Sequence, residues 1–246
     1  MALREEFENT GNWLFRWRSY LPLAMLGLLL LALRDYDYPW GSEALDHVWE
    51  GLCLAISFFG LGIRVFTVGF TPYGTSGRNT RKQVAETLNT RGAYSMARNP
   101  LYLGNFFMGL GIVLFAHLWW LTLIYILVFW LYYERIIFAE EAFLRRKFGA
   151  DYLEWAARTP VFIPRLGQYR RAELPFSLRN VLRREYNGFF AVIVVMFLLE
   201  TVGELFAEGA LEFDAGWLVL LGGGFVVWLT LRALKKHTAV LRVPGR

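Results

Sequence analysis

Residues 101–138 read LYLGNFFMGLGIVLFAHLWWLTLIYILVFWLYYERIIF, two long apolar runs with only His117 and Leu118 between them. A helix needs ~20 mostly apolar residues to cross ~30 Å of membrane hydrocarbon. The two runs therefore predict two membrane-spanning helices joined by a tight turn.

Four further apolar runs flank this pair, at residues 20–33, 51–66, 188–206 and 216–234. The first of these is short, but Trp13, Trp17 and Tyr20 lie before or at its start, and such aromatic residues favour the membrane interface. Hydrophobic residues make up 56% of the chain, which is more than soluble proteins usually carry. The sequence thus predicts an all-α integral membrane protein with about six transmembrane helices.

Basic residues occur in alternate connections between these runs. They precede the first run, fill the connections 67–100 and 139–187, and follow the last run, whereas the other connections are acidic or very short. Lys and Arg favour the cytoplasmic side of a membrane. Both termini and both long connections are therefore predicted to be cytoplasmic, in the inner membrane of a bacterium or the endoplasmic reticulum of a eukaryote.

The net charge of +5 has the same explanation, because the basic residues lie between apolar runs and not along one exposed face. A membrane surface is the expected partner, and a nucleic acid is not. Cys53 is the only cysteine, which excludes an intramolecular disulfide and a thiolate metal cluster. Its apolar surroundings favour a small buried residue without a chemical role.

Residues 91–104, RGAYSMARNPLYLG, lead directly into the third apolar run. Pro100 suits the first turn of a helix, and Asn99 suits the cap before it. The amides at such a helix start, with Arg98 beside them, favour a carboxylate or another anion. A structural cap next to an interfacial arginine explains the same pattern.

The fourth apolar run ends near a pair of acids, Glu140 and Glu141. Adjacent helical residues point about a quarter-turn apart, so at least one of the two carboxylates is expected to face the protein interior. Carboxylates at membrane depth are functional candidates. The alternative is that both are solvated and pair with Arg145 and Arg146 at helical spacing.

Together these segments resemble the isoprenylcysteine carboxyl methyltransferase and phospholipid N-methyltransferase family. The resemblance covers about residues 91–166 and rests on an ordered set of motifs: Arg98-Asn99-Pro100-Leu101-Tyr102-Leu103-Gly104, then Glu140-Glu141, then Phe148-Gly149 and Tyr152. The family commonly has His where this chain has Asn99. Asparagine can donate and accept hydrogen bonds but cannot carry a positive charge, so a role that requires imidazolium is not expected here.

The resemblance implies S-adenosylmethionine as the methyl donor, reached from the cytoplasm, and a lipid or lipid-linked acceptor that enters from the bilayer. No metal is expected, because methyl transfer depends mainly on positioning the two reactants. Arg98 and Glu141 are the predicted catalytic residues. The predicted cofactor contacts are Tyr94, Arg98, Asn99, Pro100, Tyr102, Leu103, Gly104, Gly109, Glu140, Glu141 and Tyr152. Gly109 and Gly111 also suit close helix packing.

Three regions follow from this interpretation: an N-terminal transmembrane hairpin (1–66), a methyltransferase-like core (67–170) and an additional C-terminal pair of helices (171–246). The third region has no counterpart in the resemblance, and its acids Glu200 and Glu204 are expected at the membrane interface. Two other functions are open. An NADPH-dependent sterol or enone reductase resembles the Arg98–Gly104 motif, although Asn105 stands where an acid is expected. A non-enzymatic transporter or scaffold would also have several spans and intramembrane acids.

Overall fold

The computed structural model describes residues 2–35, 43–72, 74–75, 83, 85–211 and 213–246. Over these residues the chain forms seven α-helices: α1 (Leu3–Trp17), α2 (Leu21–Ala32), α3 (Glu43–Gly69), α4 (Pro100–Phe115), α5 (Trp119–Arg158), α6 (Leu178–Glu208) and α7 (Ala215–His237). The described residues contain no strand, only an isolated antiparallel bridge between Gly92 and Arg170. The all-helical prediction is confirmed.

Each predicted apolar run coincides with one helix, from α2 to α7, but not every helix is long enough to cross a membrane. α3, α5, α6 and α7 meet the length and composition of a span, and α1 with α2, bent by 72°, forms a fifth, broken candidate. α4 has 16 residues, and at 1.5 Å per residue its ~24 Å falls short of the ~30 Å hydrocarbon core. The described residues thus support four to five spans. The predicted count of six and the side of the termini are not confirmed.

The tight turn between α4 and α5 is present. The short connection contains His117, whose φ of 55° is unusual for a residue other than glycine. The His117 ring packs edge-on against Trp49 of α3, with ring centroids 5.4 Å apart. The Trp49 Nε1 group donates a hydrogen bond of 2.9 Å to the Leu114 carbonyl near the end of α4. These contacts hold the turn against α3.

α3 and α4 pack backbone to backbone through small residues. A Cβ atom on Gly60 would lie 2.5 Å from the Gly104 carbonyl oxygen, and one on Gly111 would lie 2.3 Å from the Cys53 carbonyl oxygen. The Ser57 hydroxyl donates a 2.8 Å hydrogen bond to the Met108 carbonyl across the same interface. Such contacts are typical of membrane helix pairs, which associate by close packing.

α5 is 40 residues long, about 60 Å of helix, roughly twice the length that a membrane crossing needs. Its direction changes at Gly149, where φ of 52° and ψ of −121° are not helical. Such a conformation suits glycine, which has no side chain to clash. α1 packs along the middle of α5, where Phe7 meets Phe138 edge to face with 5.7 Å between ring centroids.

The two long connections meet at one end of the bundle. The Gly92 amide donates to the Arg170 carbonyl (2.9 Å), the Arg98 amide to Pro160 (2.8 Å), and the Arg165 amide to Met96 (3.0 Å). The prediction that these connections lie together is confirmed. α6 starts at the same end, where the Ser177 hydroxyl caps its first turn.

The opposite end of the bundle holds a buried apolar core with three carboxylates. The Glu200 side chain of α6 is buried within the protein, and its expected position at the membrane interface stays a prediction. It meets Asp46 and Glu50 of α3, with carboxylate oxygens within 4.8 Å of one another. Trp217 of α7 covers this cluster, and its Nε1 lies 3.3 Å from both Glu50 oxygens. α7 therefore buries acids that α6 alone would expose.

Candidate functional site

A cavity of about 330 Å³ opens where the long connections meet the helix ends. Its volume lies within the ~300–1,000 Å³ usual for small-molecule sites. The wall is formed by α1, α3, α4, α5, α6 and the segment before α4. Its charged residues are Arg18, Arg64, Arg98, Glu140, Arg184 and Glu185. A polar cavity of this kind, beside apolar helices, is the clearest candidate site in the described part of the chain.

The start of α4 forms one wall of this cavity. Asn99 occupies the cap position, but its side chain makes no capping hydrogen bond. Instead its Nδ2 donates to the Val161 carbonyl at 3.1 Å. Together with the bond from the Arg98 amide to Pro160, this fixes residues 98 and 99 at the cavity. The predicted cap position of Asn99 is therefore confirmed, but its side-chain amide joins the two long connections and does not bond to the helix.

Arg98 is held by an acid from α5. Its Nη1 lies 2.8 Å from Glu141 Oε1, and the two side chains are only 16% and 24% exposed. The Nε of Arg98 is buried and has no hydrogen-bond partner among the described residues. Buried donors are rarely left without a partner in folded proteins. Arg98 lines the cavity, and Glu141 holds its guanidinium in place.

Glu140 and Glu141 face in different directions, as their quarter-turn separation predicts. Glu140 lines the cavity, accepts a hydrogen bond from the Tyr102 hydroxyl and lies 3.9 Å from Arg18 Nη1. Glu141 turns toward Arg98. Of the two arginines of the helix extension, Arg146 instead meets Glu8 of α1, whereas Arg145 lies close enough to Glu141 to interact with its charge.

Aromatic side chains line the same space. The rings of Tyr102 and Tyr133 are 4.6 Å apart. Tyr94 lies on the neighbouring wall, where the Trp155 Nε1 donates a 3.2 Å hydrogen bond to its carbonyl. Burial raises the pKa of the Tyr94 phenol well above its ordinary value, so this group is a neutral surface and not a base at physiological pH.

Six of the predicted site residues line the cavity: Tyr94, Arg98, Asn99, Pro100, Tyr102 and Glu140. The other five, Leu103, Gly104, Gly109, Glu141 and Tyr152, do not line it. A Cβ on Gly104 would lie 2.5 Å from Arg64 Cγ, and one on Gly109 would lie 2.3 Å from the Tyr125 hydroxyl. Both glycines therefore serve close packing in this structure, and a direct cofactor contact of Gly109 stays a prediction.

Several cavity residues were missed by the sequence analysis. Arg64 is the lone charged residue of the run 51–66, and an intramembrane charge is itself a functional signal. Glu185 binds this arginine with two hydrogen bonds, from Nε (2.8 Å) and Nη2 (3.0 Å). Nothing in the sequence pointed to Glu185 or to Arg18, because neither belongs to the recognised motifs.

The fold and the cavity define a multi-pass helical membrane protein with a charged and aromatic site at one end of the bundle. Residues 51–151 match the model of the phospholipid methyltransferase family. Protein-S-isoprenylcysteine O-methyltransferase of Saccharomyces cerevisiae is 34% identical over 85 residues, 35% of this chain and 36% of the yeast protein. These matches confirm, for the central segment, the isoprenylcysteine carboxyl methyltransferase and phospholipid methyltransferase family recognised from the sequence.

Longer alignments join the chain to two bacterial proteins. The cobalt-zinc-cadmium resistance protein CzcN of Cupriavidus metallidurans is 32% identical over 157 residues, which is 63% of this chain and 64% of that protein. The nickel-cobalt-cadmium resistance protein NccN of Alcaligenes xylosoxydans xylosoxydans is 33% identical, with 63% and 65% covered. The chain thus spans a little under two thirds of each relative. No solved structure matches it.

Proposed function

We propose that this protein transfers a methyl group from S-adenosylmethionine to a lipid or lipid-linked acceptor in the membrane. The observation that carries the proposal is that the segment matching the family also forms part of the cavity. The family match covers residues 51–151, and this segment supplies Arg98, Tyr102 and Glu140 to the cavity.

The residues of the cavity fit the donor by chemical type. S-adenosylmethionine presents a carboxylate, an ammonium group, ribose hydroxyls and a sulfonium, and when bound it supplies a methyl group on positively charged sulfur. The Arg98 guanidinium lines the cavity and suits the carboxylate. The Glu140 carboxylate suits the ammonium group, and the rings of Tyr94 and Tyr102 suit the adenine and the sulfonium.

The protein's part in the reaction is positioning. In-line displacement needs the acceptor atom, the methyl carbon and the sulfur in one line, and holding two reactants in such geometry lowers the barrier considerably. Glu141 holds the Arg98 guanidinium at 2.8 Å, and Tyr102 and Arg18 hold Glu140. Phe15 and Arg18 from the N-terminal segment complete the lining of the cavity.

The reductase alternative is less well supported by the same site. Asn105 occupies the place where the reductase motif carries an acid, and both ends of its amide are engaged. Its Oδ1 accepts from Arg64 Nη1 at 2.6 Å, and its Nδ2 donates to the Tyr133 hydroxyl at 3.0 Å. A neutral amide held between two side chains is a structural link more than a proton donor.

The test has two stages with the purified full chain in detergent. Calorimetry compares S-adenosylmethionine with NADPH, and we expect binding of the first alone. A labelled methyl donor is then incubated with the protein and a membrane-lipid extract, and the labelled product is identified by chromatography and mass spectrometry. Binding of NADPH without binding of S-adenosylmethionine would replace methyl transfer by reduction. The absence of binding to both would favour the transporter or scaffold alternative.

A further inference from the structure

Helix α6 lies outside the segment that matches the family, yet it contributes a buried acid to the cavity. The Glu185 side chain is 5% exposed, and its partner Arg64 is 17% exposed. Two near-parallel hydrogen bonds join them, Nε to Oε2 at 2.8 Å and Nη2 to Oε1 at 3.0 Å. Such a bidentate pair fixes both the position and the plane of the guanidinium.

The other edge of Arg64 is fixed as well. Its Nη1 donates to Asn105 Oδ1 at 2.6 Å, and Asn105 donates in turn to Tyr133 at 3.0 Å. A guanidinium has five N–H groups, and these bonds use three of them. Two N–H groups are left on a side chain that lines the cavity, which makes Arg64 a rigid donor with unused capacity.

The packing of α3 on α4 makes room for this arginine. A Cβ on Gly104 would lie 2.5 Å from Arg64 Cγ and 2.8 Å from the Gly60 carbonyl oxygen. A larger residue at position 104 would therefore push the arginine stem aside. Gly104 is also the last residue of the motif Arg98–Gly104 by which the family was recognised. The motif therefore contributes to the packing that positions Arg64.

The charged side chains of the cavity are largely paired with one another. Its described lining residues include four arginines (Arg18, Arg64, Arg98 and Arg184) and two glutamates (Glu140 and Glu185), an excess of two positive charges (4 − 2). Glu141 behind Arg98 reduces this excess to one. Arg18, Arg64 and Arg98 are each paired with a carboxylate, at 3.9, 2.8 and 2.8 Å. The preference for an anionic group is therefore local to the unused N–H groups of Arg64 and is not a property of the whole cavity.

We propose that Glu185 is a positioning residue, and that the Arg64 guanidinium it holds binds an anionic head group, carboxylate or phosphate, of the amphiphilic acceptor. This inference rests on the proposed function for the identity of the ligand as acceptor. It assigns a task to the C-terminal helices, since without α6 the arginine would lose two of its three bonds. An intramembrane arginine without its acid is costly.

The experiment uses four amphiphiles that share a hexadecyl-length chain: palmitate, hexadecyl phosphate, hexadecanol and hexadecyltrimethylammonium. Immobilised full-length protein in detergent retains tritiated palmitate, and each unlabelled amphiphile is tested as a competitor. We expect both anionic probes to compete at about tenfold lower concentration than the other two, because a hydrogen bond to a charged acceptor is stronger than one to a neutral acceptor. The order of palmitate and hexadecyl phosphate distinguishes a carboxylate from a phosphate head group.

Variants locate the effect. Arg64→Gln should abolish the preference for anions, and Glu185→Gln should weaken it about tenfold, a larger effect than the one it has on the affinity for S-adenosylmethionine. Glu154→Gln is the matched control, because it removes a carboxylate from an exposed pair with Arg158, and it should change neither measurement. Arg64→Lys keeps the positive charge but cannot form the two parallel hydrogen bonds of a guanidinium. It is the second variant, to be used if Arg64→Gln does not fold, and it should retain part of the preference for anions.

Equal competition by all four probes in the native protein would overturn the inference, as would an unchanged preference in both Arg64→Gln and Glu185→Gln. Loss of affinity for S-adenosylmethionine in Glu185→Gln, in parallel with head-group affinity, would show a merely structural pair. Failure of the native protein to bind S-adenosylmethionine is a separate result. It would remove the proposed function, and the head-group preference would still decide whether Arg64 binds anions.

Discussion

Arg98 begins the recognised motif and also forms an ion pair with Glu141. It precedes α4, is tied to Pro160 through its backbone, and is paired with Glu141 through its side chain. A guanidinium that lines the cavity and is held on one edge by an acid is well arranged for a carboxylate. The exposed ion pair of Glu154 and Arg158 lies on the same helix as Glu141. Substitutions in that pair serve as controls that separate the contribution of Arg98 to ligand binding from its contribution to folding.

We expect Arg98→Ala and Glu141→Ala to abolish measurable binding of S-adenosylmethionine, since each removes part of the carboxylate site. Calorimetry on the folded variants measures this, and thermal unfolding in detergent checks that they are folded. The exposed pair of Glu154 and Arg158 supplies the control, and Arg158→Ala should bind as the native protein does. Unchanged affinity in both Arg98→Ala and Glu141→Ala would remove this site assignment.

Glu140 has a separate prediction, because it faces the cavity and Glu141 does not. Replacing it by Gln keeps the shape and one acceptor oxygen but removes the charge that attracts an ammonium group. We expect affinity for S-adenosylmethionine to fall by about tenfold or more, measured by calorimetry. Glu134→Gln, an exposed position on the same helix, is the matched control. Equal effects of the two substitutions would contradict a cavity role.

At the scale of elements, the approach of α3 to α4 decides where Arg64 and Asn105 stand. Gly60 faces backbone, with the Gly104 carbonyl oxygen and the Met108 amide nitrogen both 2.5 Å from a Cβ built at that position. Gly62 is one half-turn away and has no atom within 4 Å of such a Cβ. The same helix therefore contains a packed glycine and an open one.

Gly60→Ala should destabilise the protein, since backbone atoms cannot move aside as side chains do, and overpacking costs typically ~1–3 kcal/mol. Gly62→Ala should be neutral or slightly stabilising, because alanine is the better helix former. Thermal unfolding of both variants in one detergent measures the difference. A lower stability of Gly62→Ala than of Gly60→Ala would refute the described packing of α3 on α4.

At the scale of the whole molecule, the cavity draws residues from all three regions that the sequence analysis separated. Arg18 and Arg64 come from residues 1–66, Arg98 and Glu140 from 67–170, and Glu185 from 171–246. The division into these regions stays a prediction about sequence relationships. The site itself is shared, so its integrity depends on the packing of α6 against α3 and α4.

The orientation of the molecule gives a further prediction. Replacing Cys53 by Ser provides a chain without cysteine, into which single cysteines are introduced at the exposed positions Gln168 and Ala210. The basic connections predict that position 168 is cytoplasmic and position 210 lies on the opposite side. A membrane-impermeant maleimide applied to intact cells should label only position 210. Labelling of position 168 alone would invert the predicted topology, and equal labelling of both would contradict it.

The sequence by itself determined that the chain is helical and membrane-embedded, because apolar runs and charged connections are local patterns that a window of residues reveals. It also located the central motifs, and Tyr94, Arg98, Asn99, Pro100, Tyr102 and Glu140 do line one cavity. Its count of about six spans is not confirmed, since α4 has 16 residues, fewer than the ~20 that a crossing usually needs.

Only the tertiary structure decided which of the two acids faces the cavity, and that Arg18, Arg64 and Glu185 join it. Arg64 and Glu185 are 121 positions apart, and no local pattern relates residues at that distance. Their pairing arises from the close packing of α3, α4 and α6, in which glycines remove side-chain bulk. A buried charge without a partner is costly, so Arg64 is stable only because this packing brings Glu185 beside it.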